Sequence, residues 1–358
     1  MDIKDVLPRD AIPSVDDPTY EPVSEYAGDP GDEVVVVDTV ASPTRRADGT
    51  ASGGSVDGDP ARAFPIRYLH YHEICNAVVG DDPVAVTWCP LCGSAVVYDR
   101  RVGEAATGSR SHRSRERRVD SDDGERVLEF GVSGKLADDD LVMYDRETES
   151  EWKQSTGTAI AGPLEGTALE VLPAAMTTVG AFRDANPDGE VLAAPGGESE
   201  AASDTDDPAP VDYDEAPYES YFEMDGFGLG AHRGTGDERE WDRDDIAPKE
   251  VVLGVERDGD ALGFPLDRLA ANGSVAHATV GDVDVVAFAT SDGVHAYENP
   301  GFAFERTVEP DTYVADDARW TGATGASDDG RTLERLPARR LFAFAWQDDH
   351  GPDAFWTP

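Results

Sequence analysis

Lysine, cysteine and long apolar runs are scarce in this chain, and each scarcity excludes a class of protein. Only four of the 30 basic residues are lysine, against 74 acidic residues and a net charge of −44. Nucleic-acid binding needs a basic surface, so this charge argues against a nucleic-acid partner. No run approaches the ~18 apolar residues of a spanning helix, so we expect no membrane insertion. Three cysteines, two of them in one short motif, do not make a disulfide framework.

The acidic residues are spread along the chain instead of forming one tail. A chain-wide acidic excess with little lysine is typical of a surface adapted to concentrated salt, where screening weakens the self-repulsion. The first residues lack a basic stretch followed by an apolar one, as a secretion signal would have. We therefore expect a soluble, cytoplasmic protein of a halophile.

Most regular segments have the character of strands. Short β-branched or aromatic runs such as EVVVV, VAVTW, AVVYD, VLEFGV, EVVLGV, DVVAFA and LFAFAW are bounded by Gly, Asp or Pro. Short helices are expected at 65–72, 176–186 and 265–271, the first and last with proline in the first turn. The sequence predicts a β-rich protein, all-β or α+β, and leaves open whether it forms a barrel or a sandwich.

Four pairs of similar segments recur in the same order along the chain. They begin at residues 33 and 250, 77 and 278, 152 and 320, and 168 and 332. This pattern predicts two diverged copies of one β domain, 33–192 and 250–358. The remaining parts are an N-terminal extension (1–32), low-complexity insertions (42–60 and 103–124), and an acidic, Gly/Pro-rich linker (193–249) with an aromatic patch at 218–227.

The motif CPLCG stands between two predicted strands and contains Cys89 and Cys92. A Cys-x-x-Cys turn between strands is typical of a metal knuckle, since its backbone N–H groups can point at two thiolates. The nearby segment HYH adds His70 and His72, which are ligands of suitable softness for Zn²⁺ or Cu(I). The sequence thus predicts a zinc or copper site at Cys89, Cys92, His72 and His70. A coordination position left to water would make such a site catalytic.

Two other interpretations of the cysteine pair stay open. The spacing permits a disulfide, as in a thiol–disulfide redox protein, although no long helix follows to lower the thiol pKa. The cysteines could also be packing residues in a ligand- or protein-binding module without chemistry. The second copy has neither the cysteines nor the histidine pair, which favours a specific site in the first.

A dense mixture of polar and aromatic residues follows the motif. It predicts a possible ligand cleft, and the residues in question are Ser133, Tyr144, Asp145, Trp152 and Gln154. The acidic run 138–140 has the composition of a hard-cation site, but acidic runs are common in this chain and we assign it no role. No nucleotide-binding motif is present.

Several long segments resemble the DUF3179 family, a prokaryotic family without an assigned function, and the acidic composition is that of a haloarchaeal-type member. The segments include ARAFPIRYLHYHEICN, PVAVTWCPLCGSAVVYDR and FGVSGKLADDDLVMYDRETESEWKQ. The resemblance implies a shared site that includes Cys89, Cys92 and Gly93, together with His72, Glu73 and Asn76. It does not extend to His70 or Cys75, and it names no reaction, substrate or partner.

Overall fold

The computed structural model describes residues 1–37, 60–103, 125–203, 205, 207–234 and 239–358. Within these residues the protein is β-rich with short helices, which confirms the predicted fold class. Almost all of the two predicted insertions lies outside the described residues.

The first part of the chain is built from short strands. They are β1 (Ile3–Asp5), β2 (Tyr20–Pro22), β3 (Glu33–Val37), β4 (Arg62–Pro65), β5 (Ile74–Val79), β6 (Asp82–Cys89), β7 (Ser94–Asp99), β8 (Arg101–Gly103), β9 (Glu125–Val127), β10 (Phe130–Ala137), β11 (Asp140–Asp145), β12 (Glu151–Lys153), β13 (Thr158–Ala161), β14 (Ala175–Thr178), β15 (Glu190–Leu192), β16 (Glu198–Ser199) and β17 (Ala209–Pro210).

The second part continues with further strands and carries two of the six helices that we label. Its strands are β18 (Val251–Arg257), β19 (Asp260–Pro265), β20 (Val275–Val280), β21 (Val283–Thr290), β22 (Gly293–Glu298), β23 (Glu305–Arg306), β24 (Thr312–Ala315), β25 (Ala318–Thr321) and β26 (Arg339–Phe342). The α-helices of the chain are α1 (Ile66–His72), α2 (Val179–Ala185), α3 (Glu219–Glu223), α4 (Gly228–Arg233), α5 (Leu266–Ala271) and α6 (Ala343–His350).

These strands form three larger sheets and several small ones. The larger sheets have the orders β1-β10-β11-β12-β13, β14-β3-β4-β15-β2 and β19-β18-β26-β7-β6-β5. Three-stranded sheets are formed by β20-β21-β22 and β23-β24-β25, and strand pairs by β8-β9 and β16-β17. The six-stranded sheet joins the two parts of the chain, because β26 lies between β18 and β7.

A helix is present at each of the three predicted places, but the one predicted at 176–186 is shorter, because residues 176–178 belong to β14. Helices α1 and α5 both start directly after a proline that serves as N-cap, Pro65 and Pro265, in extended conformation. Helix α2 starts after Thr178, whose hydroxyl accepts a hydrogen bond from the Ala181 N–H. Local sequence signals therefore determine where these helices begin.

The prediction that LFAFAW is a strand is wrong beyond its second residue. Strand β26 ends at Phe342, opposite Val251 of β18, and α6 begins at Ala343. The first four residues of α6 are all buried, so the sequence shows neither the helical nor the alternating strand pattern of apolar and polar residues. A short, continuous apolar run does not distinguish a buried strand from a buried helix.

The predicted extension and linker both pack on the rest of the protein. Residues 1–32 supply β1, which pairs with β10, and β2, which pairs with β15. In the linker, Tyr221 of α3 and Phe227, the residue before α4, are buried in the core that contains the cysteine motif. Among the described residues, no helix has the length and apolar character needed to cross a membrane.

The β5–β7 meander is buried on both faces, and this determines where the motif points. On one face Cys89, Cys92 and Tyr98 share a core with α6 and the linker aromatics. On the other face Cys75 and Val97 belong to a separate core, which packs against α1 and β3. The motif and Cys75 therefore lie in different environments.

Candidate metal centre

The CPLCG segment forms the turn between β6 and β7, as predicted from the strands on either side. Cys89 is the last residue of β6 and pairs with Ser94, the first residue of β7. Cys92 lies within the turn, and its carbonyl accepts a hydrogen bond from the Phe342 N–H of β26. The turn is thus held by its own hairpin and by a strand from the second part of the chain.

A third potential ligand, Asp140, joins the two cysteines. The two Sγ atoms and a carboxylate oxygen of Asp140 all lie within 4.8 Å of one another, and each residue is at most 1% exposed. Asp140 is the first residue of β11 and follows a two-residue turn, in which Asp138 and Asp139 both have positive φ. Such a turn is typical of a tight hairpin, and it directs Asp140 to the cysteines.

The Asp140 carboxylate is only half satisfied by the protein. Its Oδ2 accepts a hydrogen bond of 2.7 Å from the Ser155 N–H. Its Oδ1 is buried and has no hydrogen-bond partner. Burial raises the pKa of Asp140 to about 6. A buried carboxylate oxygen without a donor is costly, so this atom is available to a cation.

The two thiols are also in an environment that disfavours their charge in the absence of a cation. Burial raises the pKa of Cys89 and raises that of Cys92 well above its usual value. The Cys92 Sγ donates to the Asp139 carbonyl at 3.2 Å. Neither cysteine is in a disulfide.

Charged groups beside these residues set the local electrostatics. Burial, together with the charges of Glu200 and Asp140, raises the pKa of Glu73 to about 8. The buried Lys153 ammonium pairs with Asp349 of α6 at 2.5 Å, and its charge acts to lower the pKa of both Cys92 and Asp140. A positive charge therefore already lies near the three ligands.

The two predicted histidine ligands are not part of this group. The His72 Nδ1–H donates to the Pro13 carbonyl at 2.9 Å, and its Nε2 accepts from the Tyr213 hydroxyl at 2.7 Å. The His70 Nδ1 accepts from the Trp88 Nε1–H at 3.2 Å. Burial lowers the pKa of His70 to about 3, so the ring is neutral. Both residues lie on α1, whose last turn faces aromatic side chains instead of the thiols.

The residues predicted to form a cleft are packing residues of the β10–β12 region. All five are at most 6% exposed, and none lies on the walls of the two cavities described for this structure. Asp145 accepts a hydrogen bond from the Trp152 Nε1–H at 2.9 Å, and Tyr144 donates to Asp10 at 2.7 Å. Ser133 donates to the Val142 carbonyl, and Gln154 to Thr87.

A comparison with protein-family models shows to which family the chain belongs. Residues 51–354 match the family described as "Protein of unknown function (DUF3179)", which is well over half of the chain. The chain belongs to the DUF3179 family. No curated protein and no solved structure matches it. The DUF3179 match covers the cysteine turn and Asp140, so all three potential ligands lie in the family's own region.

Sequence reasoning missed Asp140 for a clear reason. The residue is close to the cysteines only through the packing of β11 on the β6–β7 turn, and nothing in its local sequence indicates this. It also stands in a run of three aspartates, in a chain with 74 acidic residues. One feature of the sequence could have indicated Asp140. It is the last residue of the acidic run and directly precedes the strongly apolar segment of β11, so it lies at the edge of the core.

Proposed function

We propose that this DUF3179 protein binds a metal ion through Cys89, Cys92 and Asp140. The observation that carries the proposal is the buried group of three ligand atoms within 4.8 Å, in which one carboxylate oxygen has no hydrogen-bond partner. Two thiolates and a carboxylate in a dry core would repel one another without a cation. A divalent metal offsets that repulsion and gives the orphan oxygen a partner.

The donor set favours Zn²⁺ over Cu(I). Zinc accepts both thiolate sulfur and carboxylate oxygen in a tetrahedral arrangement, whereas Cu(I) prefers an all-sulfur environment. Among the described residues, no fourth Cys, His, Asp or Glu atom belongs to the group. The fourth position is therefore available to water or to a substrate, which is the arrangement of catalytic zinc sites.

The structure argues against the redox interpretation of the same pair. A thiol–disulfide oxidoreductase needs an accessible thiolate, and its pKa is usually lowered by a helix N-terminus or a nearby cation. Here Cys89 is 1% exposed and Cys92 is 0% exposed, and burial raises the pKa of both thiols. The turn leads into β7 and not into a helix.

Metal content is the direct test. Purified wild-type protein is expected to contain close to one zinc per chain by elemental analysis, after reconstitution if purification strips it. The variant Cys89→Ser/Cys92→Ser should contain none, and Asp140→Asn should bind zinc at least about tenfold more weakly.

Two variants serve as matched controls. Cys75→Ser changes a buried cysteine in the other core, and His72→Phe removes a predicted ligand whose two ring nitrogens are already engaged. Both should retain the metal. Wild-type protein that stays metal-free after reconstitution would overturn the proposal. If His72→Phe lost the metal and Asp140→Asn kept it, the third ligand would be His72 and not Asp140.

A further inference from the structure

A second cavity of about 250 Å³ lies between the two parts of the chain. Its walls come from β3, β7 and β14 of the first part and from β18, β22 and β26 of the second. They are mostly apolar, and their apolar side chains include Val97, Met176, Leu253, Leu266, Val294 and Leu336. A concave apolar space with a few polar groups is the usual form of a small-molecule site.

Two arginines line this cavity, and neither has a carboxylate partner among the residues that the structure describes. They are Arg335 and Arg340. Arg101 and Arg339, by contrast, form ion pairs with aspartate or glutamate, whereas the buried Arg100 donates only to backbone carbonyls. Within the described part of the chain, neither guanidinium at the cavity is engaged in a direct ion pair, although Glu33 on the same wall acts on Arg340 through its charge.

Arg340 is held in place but keeps donors free. Its Nη1 donates to the Gly93 carbonyl, and its guanidinium lies 5.4 Å from the ring centres of both Trp88 and Phe342. Within the described residues, its Nε and Nη2 have no hydrogen-bond partner. A planar guanidinium fixed in this way presents a ready fork to a carboxylate.

Arg335 adds charge from a second direction. Its Nη2 donates to the Tyr297 hydroxyl at 2.8 Å and to the Ala323 carbonyl at 2.5 Å, and its Nη1 contacts His295 Nδ1 at 3.3 Å. These contacts anchor the guanidinium at the cavity wall without removing its charge.

The acidic residues at the cavity limit the charge of a ligand. Glu33 and Asp292 also line it. Asp292 already accepts hydrogen bonds from the hydroxyls of Thr177 and Thr290 and contacts His295, so it does not need Arg335 or Arg340. Two carboxylates close by would repel a dianion such as phosphate much more than a monoanion.

We propose that this cavity binds a small monocarboxylate with an apolar body, of the size of benzoate or hexanoate, whose carboxylate is held by Arg340 and attracted by Arg335. The apolar walls accommodate the body of the ligand. None of Cys89, Cys92 and Asp140 lines the cavity, but Arg340 donates to the Gly93 carbonyl of the cysteine turn, so the zinc content of the Arg340 variant is measured beside its ligand binding.

Titration calorimetry with four probes tests this proposal. The probes are benzoate, hexanoate, the neutral analogue benzamide, and inorganic phosphate. The decisive variant is Arg340→Met, which keeps a long apolar stem and removes the charge. Arg319→Met is the matched control, because Arg319 is exposed and pairs with Glu309 outside the cavity. Circular dichroism checks that each variant is folded.

We expect saturable binding of benzoate or hexanoate to the wild type, with benzamide and phosphate at least about tenfold weaker. Arg340→Met should lose at least about tenfold in affinity, and Arg319→Met should lose none. If Arg340→Met does not fold, Ala338→Leu narrows the cavity with both arginines kept and should weaken binding equally. Equal binding of benzamide, tighter binding of phosphate, or no carboxylate binding at about 10 mM would each overturn the proposal.

Discussion

The β5–β7 and β20–β22 meanders are closely similar in backbone and differ in the groups that they carry. Each follows a short helix, and each is preceded by a residue at positive φ, Glu73 (55°) and Ser274 (61°). The carbonyl of Glu73 accepts from the Trp88 N–H at 2.7 Å, and that of Ser274 accepts from the Ala289 N–H at 2.9 Å. The same backbone connection therefore closes both meanders.

The difference lies in the turn between the last two strands. In the first meander, residues 90–93 join Cys89 to Ser94, whereas Ser291 and Asp292 alone join Thr290 to Gly293 in the second. Thr290 and Asp292 satisfy each other through a hydrogen bond. In the first meander, by contrast, the Asp140 Oδ1 near the turn stays without a partner. The scaffold closes without cysteines, so the cysteine turn calls for a functional explanation.

The parallels support our proposal that the chain contains two diverged copies, 33–192 and 250–358. Beyond the meanders, β14 pairs with β3 and leads into α2, while β26 pairs with β18 and leads into α6. The Leu172 N–H donates to the Val97 carbonyl, and the Leu336 N–H to the Ala296 carbonyl. One consequence is that matched substitutions in the two copies become informative.

The largest expected difference between the two meanders is their response to metal removal. A metal ion that binds only the folded state contributes several kcal/mol to its stability, and a domain of 150–250 residues loses about 2–4 °C of melting temperature per kcal/mol. We expect a strong chelator to lower the melting temperature of the wild type by ~10 °C or more, measured by calorimetry.

Two variants sharpen this measurement. Cys89→Ser/Cys92→Ser should not respond to the chelator, whereas Thr290→Val/Asp292→Asn, in the corresponding turn of the second meander, should respond as the wild type does. If the chelator left the melting temperature of the wild type unchanged, the two meanders would not differ in their dependence on a metal ion.

The next effect concerns two glycines that should behave alike. Gly157 (φ 65°) and Gly325 (φ 70°) would place an added Cβ 2.4 Å from Tyr98 Cε1 and 2.6 Å from Tyr297 Cε1, respectively. We expect Gly157→Ala and Gly325→Ala each to lower the free energy of unfolding by about 2–4 kcal/mol, as measured by denaturant titration. The control Gly166→Ala (φ 83°, open space around the Cβ) isolates the backbone cost, about 1 kcal/mol. If only one of the two substitutions left the free energy of unfolding unchanged, Gly157 and Gly325 would not be equivalent positions.

A loss of stability with rising pH that comes from a buried glutamate should occur in the first meander only, because Glu73 corresponds to the uncharged Ser274. The pKa of Glu73 rises from 4.5 to about 8 on folding, so the folded state binds more protons than the unfolded state in this window. The stability of metal-free protein should therefore fall as the pH rises from about 4.5 to 8, by at most about 1.4 kcal/mol per pH unit for this group.

The variant Glu73→Gln separates this effect from that of Asp140. Asp140 contributes to the pH dependence of the free energy of unfolding only up to about pH 6, because its pKa in the folded protein is about 6. Metal-free Glu73→Gln should thus lose the decline between pH 6 and 8, when unfolding is followed in denaturant at each pH. A wild-type curve that is flat from pH 6 to 8 would contradict the assignment.

The smallest effect should come from two tyrosine hydroxyls. Tyr98 donates to the Gln154 carbonyl at 2.6 Å, and Tyr297 donates to the Ala323 carbonyl at 2.7 Å. Each substitution to phenylalanine should cost about 1 kcal/mol in unfolding experiments. Each hydroxyl also interacts with an arginine side chain, Arg339 at Tyr98 and Arg335 at Tyr297, so we expect similar costs at the two positions. A clear difference between the two losses would contradict this expectation.

Local signals in the sequence predicted much of the fold and part of the candidate site. Pro65 and Pro265 indicated where two helices begin, and the strands around CPLCG placed the motif in a hairpin turn. Asp140 could not be found this way, because its approach to the cysteines depends on packing between sheets. The histidines were chosen for their chemistry, yet the path of α1 turns His72 towards Tyr213.

Strand β26 has a consequence for the order in which the protein can be assembled during synthesis. Arg340 of β26 contacts Gly93 across 247 residues of sequence, and Phe342 donates to the Cys92 carbonyl. During synthesis, the edge of β7 and the cysteine turn stay unpaired on this side until the ribosome has made β26, because Arg340 follows Gly93 by 247 residues. A prematurely terminated chain would therefore present an open strand edge beside two reduced thiols, which is a target for aggregation and for cellular quality control.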